Sequence, residues 1–358
     1  MRAGAALARS ERDRRLRAHR KRERTFALLA GESPAEGLRR IALGQVEVAL
    51  AHLERGIDGP EPARAVHETR KALKRLRALM RLLRDELPDG AFARESTVLR
   101  DAGRRLAVAR EGEVMVGTLE ALLERNPKKL GRRRSMKALR DQLVDERNRA
   151  TSRLLEDVAA RAEVIRELRP MRSRVLQWEL RDAPGMELAA AGLLRIYKQG
   201  RERFERAASG KGDRARTMHE WRKRVKDLRH AAEMLERADP DGDGSLHLPG
   251  PRRRRKQRRG RGAAGRIHRL AARADSLGEA LGEDHDLAVF AERIRSDRRL
   301  VLGRGPRRAL LKAVRRRRRV LRRGALRAGE RIYRRRPKAF VARIRDDYAR
   351  RERRLRRR

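Results

Sequence analysis

The sequence predicts an all-α protein built from a duplicated half-unit, and three observations carry that prediction. No run of alternating β-branched residues occurs along the 358 residues, whereas apolar residues recur at helical period between breakers. In VHETRKALKRLRALMRLL, Val66 to Leu83, a turn of 100° per residue from His67 gathers Arg70, Lys71, Lys74, Arg77 and Arg81 between about 280° and 40°. Val66, Ala72, Leu73, Leu76, Met80 and Leu83 fall between about 140° and 260°, so one side packs and the other faces something anionic. The same wheel returns in MHEWRKRVKDLRHAAEML, Met218 to Leu235. His219, Arg222, Lys223, Lys226 and Arg229 take the basic positions, and Met218, Trp221, Val225, Leu228, Ala232 and Leu235 the apolar ones. Flanking segments repeat as well: GLRRIA (37–42) is matched by GLLRIY (192–197), and AREGEVMV (109–116) loosely by GEDHDLAV (282–289).

Taken in order, residues 1–33 read as a basic arm with too little apolar periodicity to pack, expected to be mobile. Ser33-Pro34-Ala35-Glu36 supplies an N-cap, a proline at the first helical position and a capping-box glutamate, so the folded domain starts at 34. Breakers follow at 56–62, 88–90, 126–127, Pro170, Pro184-Gly185, 209–213 and 303–306, with helical patterns between them. The domain is expected over 34–348, as one half over 34–185 and a second over 186–348. A flexible basic insertion is expected at 239–265, where the first half has a short turn. The last helix, from Pro337, ends in a basic tail, 349–358, expected to fray.

Composition narrows the function. Lys and Arg number 98 against 50 Asp and Glu, a net charge of +48 that makes a polyanion the default partner. Aromatic residues are 3%, few for a protein that stacks single-stranded bases on exposed rings. The absence of cysteine excludes disulfides, zinc-thiolate sites and thiol nucleophiles. No apolar core of signal-peptide length and no membrane-spanning run is present, so a soluble, unexported, cytoplasmic protein with no membrane partner is expected.

Enzyme-like patterns fail on their spacing. HETRK and HEWRK begin like the zinc motif HExxH, but the fifth residue is Lys71 or Lys223. Asp239-x-Asp241-x-Asp243-Gly244 opens like a calcium loop, yet its twelfth position is Gly250 where a bidentate glutamate is needed. Glu111-x-Glu113 is followed by Met115, so the ExExK signature of triphosphate hydrolysis is absent. No catalytic residue, metal ligand or cofactor is therefore expected, and the protein reads as a non-enzyme. The ordinary meaning of a basic helix face is solvated charge, but here the face is duplicated and nearly free of acids. Arginine offers a planar bidentate fork and lysine a mobile point charge, at spacings of three and four that stack them along the helix for successive phosphates. His67 and His219 open the two rows and can donate a hydrogen bond to phosphate in either protonation state. Asp227, standing where the first copy has Arg75, lies off the row at about 80° and is expected to orient a neighbouring cation.

The two HxxRKxxKxxR helices, the LGEDHDLAV corner (281–289) and the RRRPKAFVARI ending resemble the CHAD family, histidine-marked α-helical domains that bind inorganic polyphosphate. The resemblance runs from about Ala35 to Tyr348. It implies a bundle of two similar halves around a central basic channel, and polyphosphate bound by His67, Arg70, Lys71, Lys74, Arg77, His219, Arg222, Lys223, Lys226 and Arg229. It also implies a place at polyphosphate granules. The first corner departs from the family by carrying Arg110-Glu111-Gly112-Glu113. A nucleic-acid or ribosome-associated protein, binding non-specifically through Arg-rich arms, is the alternative from another class.

Overall fold

The computed structural model describes residues 25–29, 31–131, 134–184, 186–238 and 265–356. Helix α1 (Pro34–Ala51) begins where the capping signal places it: the Glu36 N–H donates to the Ser33 hydroxyl (3.2 Å) and the Ser33 N–H to the Glu36 carboxylate (3.1 Å). One π-helical turn (His52–Gly56) leads to α2 (Pro62–Leu82), the first motif helix, again opened by a proline. The second, α8 (Arg214–Met234), is capped by Asp213, whose carboxylate accepts from the Ala215 N–H at 2.8 Å. Every residue of the two predicted apolar faces is buried, from Val66 to Leu83 and from Met218 to Leu235. The wheel decides the outcome because burying these side chains is the dominant favourable term.

Around the motif helices lie α3 (Ala91–Arg105), α4 (Val108–Arg125), a π-helical turn (Pro127–Gly131), α5 (Arg134–Glu156) and α6 (Val158–Leu176). After α7 (Glu187–Ala208) and α8 come the long helices α9 (Arg266–Ser296) and α10 (Arg304–Tyr333), then α11 (Pro337–Arg356). Pro170, read from the sequence as a breaker, lies inside α6 instead. Leu168, Met171 and Val175 beside it are fully buried, and that packing outweighs the backbone hydrogen bond a proline removes.

Among the described residues two apolar cores form, and each draws on both sides of residue 185. The larger joins α1, α2 and α6 to α7 and α8 through residues such as Leu38, Leu76, Leu168, Tyr197 and Trp221. The smaller joins α4 and α5 to α9 and α10 through Leu119, Leu139, Phe290 and Leu310. The N-terminal part of α7 lies so close to the end of α2 that a Cβ at Gly192 would overlap the Leu82 carbonyl oxygen. Only glycine allows that approach. Arg195 holds the same junction, donating to the Arg81 carbonyl at 2.9 Å.

Among the described residues the all-α expectation holds apart from one short feature. Leu28–Leu29 and Arg237–Ala238 form a two-stranded parallel pair, Leu28 opposite Arg237 and Leu29 opposite Ala238. This corrects the reading of residues 1–33 as an arm that cannot pack, because Thr25 to Leu29 are all buried. Buried backbone outside a helix needs hydrogen-bond partners. The strand pairing supplies some; Arg40 supplies others, donating to the carbonyls of Thr25 (2.9 Å) and Ala27 (2.7 Å). Phe26 then lies under the Arg75 guanidinium, 4.4 Å from its carbon. Apolar periodicity could not reveal this segment, since five residues are too few to display a period. At the other end α11 continues to Arg356, so the basic tail prolongs a helix. Residues 1–24 and the proposed insertion, but for Gly265, lie outside the described residues.

Candidate functional site

The basic rows of α2 and α8 turn toward each other. Three adjoining cavities of about 240, 410 and 450 Å³ lie along them and share walls. Arg70 and Lys74 line the first two, Arg222 the last two, and Lys226 all three. His67 and Lys71 border the first, Arg77, His219 and Lys223 the second, and Arg229 the first and third. The ten residues singled out in the sequence thus converge, although they begin on segments far apart in the chain.

Their states differ in ways the wheel could not specify. Arg70 reaches the C-terminal end of α3, donating to the carbonyls of Leu106 and of Gly103 (3.3 Å for Gly103), where unfulfilled acceptors and the negative end of the helix dipole favour a cation. Arg229 bridges Glu233 (2.8 Å) and Asp275 (2.5 Å), so its charge is largely neutralised. Lys71 pairs with Glu68 (3.2 Å) and Lys223 with Glu220 (2.7 Å), the same one-turn arrangement in both motif helices. Arg222 lies against Gly282 of α9, where a Cβ would stand 3.6 Å from its Nε. Burial, reinforced by the neighbouring Arg81, pushes the Arg77 guanidinium below its ordinary value.

Asp227 does what its off-row position predicts. Its carboxylate stands 3.1 Å from both Arg81 of α2 and Arg224 of α8 and ties the motif helices together. Glu111 from α4 and Asp286 from α9, one from each of the two acidic corners, enter the same middle cavity.

Arg81, Arg224 and His285 take part without having been among the predicted site residues. Arg81 lies on the α2 row itself, so the wheel already contained it. Arg224 sits at about 140°, at the apolar margin, and reaches the cavity rim because its long stem packs while its head stays polar. His285 belongs to the α9 corner, and its ring lies 4.2 Å from that of His219, centroid to centroid. The repeated corner was the available signal, but only packing puts its histidine opposite the one on α8.

The histidine pair senses the local field. Burial, followed by His219, Arg222 and Lys226, pushes His285 down to about 4, and burial with Lys223 and Arg222 lowers His219. Both rings are neutral near pH 7. The His219 Nδ1 is buried and has no hydrogen-bond partner among the described residues. Because the His285 value is depressed from an ordinary 6.5, the unfolded chain binds the extra proton first. Its stabilising contribution is complete above pH 6.5 and is lost as pH falls through about 4. Urea midpoints measured from pH 7 to pH 4 should therefore decline less steeply in His285→Gln than in the wild type.

An all-α fold whose two basic helices face a common set of cavities defines a helical domain with a cationic interior. The model of the CHAD domain matches residues 40–245, and the chain belongs to that family. In fold the chain is similar to PptA from Streptomyces chartreusis, at 17% identity and a TM-score of 0.55, over 85% of this chain and 100% of that one. It is likewise similar to the CHAD domain from the plant Ricinus communis, at 17% identity and a TM-score of 0.54, over 86% of this chain and 95% of that one. The likeness in fold extends well beyond residue 245. No curated protein sequence matches the chain. Among the described residues no helix is long and apolar enough to cross a membrane.

Proposed function

We propose that the protein binds inorganic polyphosphate, without hydrolysing it, in one basic channel made by the adjoining cavities between α2 and α8. The observation that carries this reading is the meeting of Arg70, Lys74, Arg222 and Lys226, from two segments of the chain, around shared cavities. A linear chain of phosphates presents charge at every unit, and cations one helical turn apart on two facing helices can neutralise it from both sides. Membership of the CHAD family supports the ligand class. His219 and His285 stand ready to donate to a phosphate oxygen, and an anion between them would raise their proton affinity. Among the described residues no three His, Asp or Glu side chains gather at metal-ligand spacing, which favours binding over phosphoryl transfer. A location in the cytoplasm, at polyphosphate deposits, fits this role.

The test is a competition titration of labelled long-chain polyphosphate against tripolyphosphate and duplex DNA, with phosphate release followed in magnesium or manganese. Polyphosphate should compete best and no phosphate should appear. Equal competition by DNA at matched phosphate concentration would replace the channel by diffuse charge attraction, and turnover abolished by a cavity substitution would make the protein an enzyme.

A further inference from the structure

A second basic row lies on the outside of α10. Arg308, Lys312, Arg315, Arg319, Arg323 and Arg327 are all exposed and fall within an arc of about 120°. At 1.5 Å per residue the row is about 29 Å long. None of the six forms an ion pair among the described residues, and the only acidic residue of the helix, Glu330, stands just beyond the row's end. Exposed arginines on α6 are paired by comparison, Arg169 with Glu54 (2.8 Å) and Arg172 with Glu47 (2.7 Å). The inner face of α10 is neutralised too, Arg317 by Glu283 (2.6 Å) and Arg318 and Arg322 by Asp284 (3.0 and 2.9 Å).

We propose that this outer row is a second binding surface for the same polyphosphate chain, so that long chains engage both the cavities and α10 while short ones engage the cavities alone. The proposal rests on the polyphosphate reading above. The inner ion pairs fasten α10 to α9, and α9 carries His285 and Asp286 into the cavity on its other side. Cavity and outer row are therefore held by one pair of packed helices in fixed relation. A chain already held in the cavities meets the outer row at high effective concentration, provided it is long enough to reach. A flexible single chain can lie along a straight row over its whole length, whereas the phosphates of a duplex wind about their axis and meet such a row only where a strand crosses it. The surface therefore fits a linear polyanion better than duplex nucleic acid.

The experiment replaces Arg308, Arg315, Arg319 and Arg323 together by glutamine, a residue of comparable helix propensity, in the full chain. Long-chain polyphosphate affinity should fall about tenfold and tripolyphosphate affinity change by less than about twofold, the pattern expected when a second contact is lost. The companion variant Arg222→Ala/Lys226→Ala should lose both ligands. Unchanged long-chain binding in the α10 variant overturns the outer surface and leaves the cavity reading intact, as does an equal loss of both ligands there. A loss confined to duplex DNA assigns the row to nucleic acid instead. If the cavity variant binds both phosphates normally, the cavity reading fails, and with it the bridging that the outer row depends on.

Discussion

Arg222→Ala combined with Lys226→Ala lowers polyphosphate affinity at least about a hundredfold, since each cation contributes a charge-assisted hydrogen bond of about 1.5–3 kcal/mol and 1.4 kcal/mol is a factor of ten. Lys226 borders all three cavities and Arg222 two of them, so this pair reaches the whole of the shared wall. Arg70 is a poorer choice despite its equivalent place on α2. It also holds the C-terminal carbonyls of α3, and its loss would confuse binding with local unfolding. The comparison that gives the result meaning is a chain lacking residues 1–24 and 349–358. It should keep most of its polyphosphate affinity, because the ten basic residues of the proposed channel all lie between positions 67 and 229. The deletion stops at 24 because Thr25 to Leu29 are part of the packed structure. Duplex DNA, attracted by diffuse charge, should show the reverse order. Should the double variant fold, by circular dichroism, and bind polyphosphate normally while the truncated chain does not, binding belongs to the termini.

Asp284→Ala should cost about 3–5 kcal/mol of stability, the usual loss when one partner of a buried ion pair is removed. Asp284 is 2% exposed and accepts from Arg318 at 3.0 Å and Arg322 at 2.9 Å. Without it the neighbouring Arg318 and Arg322 guanidinium groups of α10 lose the α9 carboxylate they share. Asp284→Asn, which retains a carbonyl acceptor, should lose less. Urea denaturation distinguishes the outcomes: a midpoint unchanged in Asp284→Ala would mean that apolar contacts such as Phe290 and Leu310 hold these helices without the ion pairs.

The helices and their inward faces were legible because each is a local property. The burial of Leu76 or Trp221 follows from a period of 3.6 residues, and the start of α1 follows from four consecutive residues, Ser33 to Glu36, that satisfy one another's hydrogen bonds. The same periodicity put Lys74 and Lys226 on the polar sides of their helices. Pro170 was misread because a local rule about proline takes no account of the core that Leu168 and Met171 enter.

What a wheel cannot contain is the identity of whatever stands opposite. The sequence by itself determined two basic rows, an all-α architecture and a demand for a polyanion. Tertiary structure alone decided that the rows face each other, that Glu233 and Asp275 neutralise Arg229, that His285 meets His219, and that Phe26 lies beneath Arg75. The physical reason is that helical angle is fixed by backbone geometry within a few residues, whereas the charge left on a side chain depends on partners brought to it from distant parts of the chain by the burial of apolar faces.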